Sequence, residues 1–172
     1  MMATTLTPSP VRQGKNLFSA ISWAALLVGT LDITAAMTKF YLERDLGPSP
    51  IFKFISSGVF GRQAFTGGTL MIIWGLVFHY IITFLFTTFL FLIYPRLSTL
   101  LKNKYVIGIL YGLFIWVIMN RIIVPLSNTP VSKAGFDARD AIIQALILIT
   151  MIGIPASWLA HRYYYPASPD KI

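Results

Sequence analysis

Four long apolar runs, separated by short polar stretches, organise this chain. Crossing the hydrocarbon of a bilayer takes about 20 apolar residues at roughly 1.5 Å of rise each. Stretches at about 17–41, 69–94, 105–126 and 141–160 reach that length. The first is uncharged except for Asp32 and Lys39, and the third except for Arg121 near its far end. The second lies within a stretch that carries no charge from Gln63 to Pro95, and Asp140 and Arg162 bracket the fourth. Proline cannot donate the helical N–H, so Pro95 is expected to end the second helix and the segment from Pro125 to Pro130 the third. Pro155 falls inside the fourth, where a kink is tolerable if a neighbouring helix satisfies the freed carbonyl.

A longer loop, 42–68, joins the first two helices. Its apolar residues Ile51, Phe52, Phe54, Ile55, Val59 and Phe60 follow Pro48 and Pro50 and are too few to span. They predict a short helix lying in the interface or capping the bundle, with a partly re-entrant loop as the alternative. The expected fold class is therefore all-α: an integral membrane bundle of four transmembrane helices with a short interfacial helix in the first outer loop. The membrane domain occupies 17–162, between a disordered tail at 1–16 and a C-terminal tail at 163–172.

Composition supports the membrane reading. The 172 residues are 56% hydrophobic and 12% charged, with a mean hydropathy of +0.71. A soluble domain carries about 25% charged residues, so these charges are too few to cover a water-facing surface. The net charge of +8 sits mostly between the apolar runs, which suits anionic lipid head groups rather than nucleic acid. Absence of cysteine excludes disulfides, thiolate metal ligands and a cysteine nucleophile. Arg12 and Lys15 before an apolar run imitate a signal peptide, but the run is too long and contains Asp32, so an uncleaved anchor is expected. One set of loops and ends carries Arg12, Lys15, Arg96, Lys102, Lys104, Arg162 and Lys171; the other carries Arg44, Lys53, Arg62, Lys133 and Arg139. That bias puts both termini in the cytoplasm, in a bacterial inner membrane.

Helical spacing collects small and polar residues on single faces. Ser22, Ala25, Gly29, Asp32, Ala36 and Lys39 share one face of the first helix; Gly68, Gly75, His79, Thr83 and Thr87 share one of the second. Gly108 and Gly112 form a GxxxG in the third, and Thr150, Gly153, Ser157 and His161 line a face of the fourth. Because small residues let membrane helices approach closely, Gly29, Gly75, Gly108, Gly112 and Gly153 are the expected packing positions.

Ionisable groups deep in lipid are costly and usually paired. Asp32 lies nine residues before Tyr41 and His79 ten after Thr69, roughly 15 Å from the same end of the bundle. Asn120, Arg121 and Gln144 lie nearer that end. These five residues form the candidate polar pocket, roofed by the 42–68 loop, with Asp32 paired to His79 or Arg121. The competing reading is a satisfied polar knot that fixes helix register. Lys39 is expected to snorkel to the interface. His79 and His161 differ by well over 10 Å in depth, too far to share one haem iron, and His161 within His161–Tyr165 suits an aromatic and basic interfacial belt. No P-loop, GxSxG, HExxH or paired-carboxylate signature is present. No catalytic or metal-binding residue is therefore assigned, and a cofactor is left unknown.

Several segments together resemble a family of small, uncharacterised bacterial multi-pass membrane proteins. They are Gly29-Thr-Leu-Asp32-Ile33, Ser57-Gly-Val-Phe-Gly61 with Ala64-Phe65 and Gly67-Gly68, Gly75-Leu76 with His79, Tyr111-Gly112, Pro125-Leu-Ser127 with Pro130, and Gly153-Ile-Pro155-Ala156. Members of the family often carry a histidine before the Gly-x-Pro of the last helix, where this chain has only apolar residues and Thr150. The resemblance implies no activity. Three functions remain: small-ligand or proton binding associated with transport, a non-catalytic accessory subunit, and a membrane redox or enzyme subunit. Four helices rarely enclose a path alone, so lipid bilayer, a homo-oligomer or membrane-complex partners are expected around the chain.

Overall fold

The computed structural model describes residues 16–130 and 137–166. The distal parts of both predicted tails lie outside the described residues, as do Arg12, Lys15, Lys133 and Lys171. The described chain is all-α. In order it runs α1 (Leu17–Arg44), α2 (Ser49–Phe60), α3 (Gln63–Thr66), α4 (Thr69–Leu101), α5 (Lys104–Leu126) and α6 (Ala138–Tyr164). Helices α1, α4, α5 and α6 are each long and apolar enough to cross a membrane, so the chain is a multi-pass membrane protein. Much of their outward surface is bare aliphatic and aromatic side chain, including Trp23, Leu85 and Leu92.

The helices run further than the apolar pattern alone predicts, and capping explains most of the difference. Asp137 Oδ1 accepts from the backbone N–H of Arg139 and Asp140 at 2.8 and 3.4 Å, which starts α6 at Ala138 and takes Asp140 into its first turn. Asn103 caps α5 in the same way through Tyr105 and Val106. Asp45 and Lys102, in left-handed backbone conformation, close α1 and α4.

Pro95 does not end its helix; α4 continues to Leu101. Proline removes the N–H that would bond the carbonyl four residues earlier, at Phe91. The hydroxyl of Tyr164, on α6, donates to that carbonyl at 2.9 Å. Pro125 and Pro155 are accommodated differently. Each follows a π-helical turn, Met119–Ile123 in α5 and Leu148–Gly153 in α6. Just before each proline, the N–H of Val124 or Ile154 reaches five residues back, to Met119 or Ile149. The widened turn makes room for a ring that would crowd a regular α-helix.

The main core fills the half of the bundle where α4 ends, α5 begins and α6 ends. Ile21, Ala24 and Val28 of α1 meet Leu90, Phe91 and Tyr94 of α4, Ile107, Tyr111 and Ile115 of α5, and Ile152, Ala156 and Ala160 of α6. The described charges at this end are Arg96, Lys102, Lys104 and Arg162, so it is the basic end. Glu43, Asp45, Asp137 and Asp140 lie at the opposite end, where α2 and α3 pack, together with Lys39, Arg44, Lys53, Arg62, Arg121 and Arg139. It is called the acidic end because these described acids gather there, not for its net charge.

Candidate functional site

Glycine contacts set the helix spacing on which the site is built. A Cβ on Gly108 would fall 2.6 Å from Ile154 Cα, and one on Gly112 2.5 Å from Ile149 Cα. A Cβ on Gly153 would strike the Gly108 carbonyl. The π-turn of α6 thus lies backbone to backbone against the GxxxG of α5. Gly75 admits the backbone of Phe52, which seats α2 against α4, and a Cβ on Gly29 would lie 3.1–3.2 Å from the Tyr80 ring and Thr83.

Helix α2 caps the acidic end in a specific manner. Its Ser56 and Ser57 are fully buried, and its carbonyls at Gly58 and Val59 accept from the backbone N–H and side-chain Nδ2 of Asn128 at 3.0 and 2.9 Å. Two separated motif pieces, the Ser57–Gly61 segment and the stretch after Pro125, therefore meet in space.

The five predicted pocket residues fall into two groups. In the first, His79 of α4 is buried and its Nε2 lies 2.8 Å from the Gly29 carbonyl of α1. A carbonyl only accepts, so Nε2 carries the proton and donates. Asp32, one turn along α1 and partly buried, lies within electrostatic reach of the His79 ring. Tyr80 packs edge-on against His79 and shares a 2.9 Å hydrogen bond with Thr30.

The second group lies towards the acidic end, between α5 and α6. Trp116, Asn120, Arg121, Asp137, Asp140, Ala141 and Gln144 line a cleft of about 200 Å³. Asn120 Nδ2 donates to the Trp116 carbonyl at 2.9 Å, and Gln144 Nε2 donates to Asp140 Oδ2 at 2.8 Å. The other Asp140 oxygen meets Lys39 Nζ, which also bridges Glu43 at 3.0 Å. Lys39 thus ties α1 to α6 rather than simply snorkelling to the interface. Asp32 and His79 are not among the lining residues, while Asn120, Arg121 and Gln144 are.

Asp137, Asp140 and Trp116 are cleft residues that the apolar pattern passed over. Signals for them existed: an aspartate at N-cap spacing before a helix, and i,i+4 pairs at Lys39–Glu43 and Asp140–Gln144. Their meeting across α1, α5 and α6 had no sequence signal. The Trp116 indole Nε1 is buried and has no hydrogen-bond partner among the described residues.

His161 sits at the basic end, its ring 6.2 Å from Tyr94 and 5.1 Å from Tyr165. Among the described residues, no three His, Asp or Glu side chains converge as a metal site would require. Compared with known protein families, characterised proteins and solved structures, the chain matches none. The four apolar helices make the chain a membrane-spanning helical protein, and no family match supports the resemblance of its motifs.

Proposed function

We propose that this protein holds a small polar ligand in the cleft between α5 and α6, entered from the acidic end of the bundle. The observation that carries the reading is the concentration of polar groups at that end, set against an apolar core in the other half. Asn120, Arg121, Asp137, Asp140 and Gln144 line one opening. Leu90, Phe91, Tyr94, Ile107 and Ile115 are each under 3% exposed in the basic half. A burial of that kind favours one-sided binding over passage through a single copy. Asp32 and His79, on α1 and α4 and outside the cleft lining, form a separate polar pair that could hold a proton.

The basic end faces the cytoplasm of a bacterial cell in this reading, because Arg96, Lys102, Lys104 and Arg162 gather there without an acid among the described residues. A transport role would require assembly with further copies or with a membrane partner. The accessory-subunit reading has its own support, since Lys39, Asp140 and Gln144 form a knot joining α1 to α6.

Native mass spectrometry of the gently solubilised chain separates the two. A retained non-lipid mass that disappears in Asn120→Leu/Gln144→Leu, with the bundle still folded, supports the ligand site. A bare chain throughout, with that double variant only less stable, would establish the knot instead.

A further inference from the structure

We infer that the basic end of the bundle docks on the head groups of anionic phospholipids, through Arg96, Lys102, Lys104 and Arg162. This holds whatever the cleft at the opposite end contains. The four cations ride on one tied frame. Helix α4 ends at Leu101 and α5 starts at Lys104, so only Lys102 and Asn103 link them. Lys102 closes α4 by donating its backbone N–H to the Ser98 carbonyl at 3.1 Å, and the Asn103 side chain caps α5. Ser157 Oγ of α6 donates to the Lys104 carbonyl at 2.7 Å. Beyond it, the Ser98 and Tyr165 hydroxyls share a hydrogen bond of 2.9 Å. The backbone that carries the cations is thereby joined across α4, α5 and α6.

Depth points to the partner. Leu100, Tyr105, Val106 and Trp158 are exposed within a few residues of these charges, Leu100 to 77%. Apolar surface of that kind is stable in hydrocarbon or at its boundary, and tyrosine and tryptophan favour the head-group level. The cations therefore stand where phosphates lie. Two of them are held over interfacial rings: Arg162 Cζ lies 5.4 Å from the centre of Trp158, and Lys104 Nζ 5.4 Å from that of Tyr105.

No described carboxylate lies at this end, and none pairs with any of the four. Lys39, at the opposite end, meets both Glu43 and Asp140. The phosphate of phosphatidylcholine is already balanced by its own ammonium, whereas phosphatidylglycerol brings an unbalanced negative charge. Each cation near an anionic bilayer surface strengthens association about fivefold. A soluble acidic protein would have to push between head groups to make the same contacts.

Native mass spectra of the full chain, released from nanodiscs of equimolar phosphatidylglycerol and phosphatidylcholine, read which lipid stays bound. The parent is expected to retain phosphatidylglycerol at least about tenfold over phosphatidylcholine, with the preference shrinking as salt rises. Arg96→Gln/Lys102→Gln/Lys104→Gln/Arg162→Gln should bring the ratio close to parity. Arg44→Gln/Lys53→Gln/Arg62→Gln/Arg139→Gln removes as many charges from the other end and should leave the ratio nearly unchanged. If the first quadruple variant does not fold, Arg96→Gln/Arg162→Gln and Lys102→Gln/Lys104→Gln should each lower the ratio several-fold. A parent without the preference overturns the inference, as does a preference that survives loss of the four cations. Equal losses in both quadruple variants overturn it too, since diffuse attraction to net charge would then suffice.

Discussion

The two halves of the bundle solve the same problem by different means. In the basic half, four helices meet through aliphatic and aromatic side chains, and glycines bring α5 and α6 to backbone contact. Irregularities there are closed from within, as when Tyr164 supplies the donor that Pro95 removes. In the acidic half, α2 and the Asn128 segment cap the helices, and polar side chains reach across the gap between α1, α5 and α6. Lipid offers little hydrophobic drive for helix association, so close packing must hold the first half. The second half leaves a cleft between α5 and α6 lined by polar side chains. One half is held by apolar packing and the other by caps and polar bridges.

The largest blow to this contrast should come from Gly112→Val. Its side chain would enter the backbone of α6 at Ile149, and overpacking of that kind costs about 3 kcal/mol. Melting in detergent micelles should show loss of the folded bundle; a variant as stable as the parent would mean that α5 and α6 are not in close contact. Tyr164→Phe comes next. Orphaning the Phe91 carbonyl should cost about 1–3 kcal/mol, and the same change made beside Pro95→Ala should cost markedly less, because alanine restores the helical N–H. Equal losses in both backgrounds would sink the explanation for the unbroken α4.

In the acidic half the effects should be smaller. Lys39→Met removes a partly exposed ion pair worth about 1 kcal/mol or less. A double-mutant cycle with Asp140→Leu should return a positive coupling; simple additivity would deny the tie between α1 and α6. Smallest is Asn128→Ala, expected to cost about 0.5–1 kcal/mol through the hydrogen bond to Val59. Its clearer readout is faster hydrogen exchange in α2 with α5 and α6 unchanged.

Individual residues show how much of this was legible. Gly108, Gly112 and Gly153 stood at spacings that permit close helix contact, a weak signal by itself because membrane helices are rich in glycine. The GxxxG could not name its partner, since every apolar helix in the chain was a candidate. Asp32 and His79 stood out as costly groups at equal depth, and the structure sets them on facing helices. Their separation from Asn120, Arg121 and Gln144 was hidden, because depth along a helix says nothing about the direction of a side chain around it. Pro95 misled, since the donor that keeps α4 whole is Tyr164, 69 residues further along the chain.

The sequence by itself determined the class of the molecule: four apolar stretches of membrane length and too few charges for a water-facing surface. Those are local properties, fixed by transfer free energy along the chain. Only the tertiary structure decided which polar groups share a cleft, which carbonyl receives a borrowed donor and where α2 comes to rest. Each depends on the rotation of one helix about its axis relative to another, and that rotation is set by packing between residues far apart in the chain.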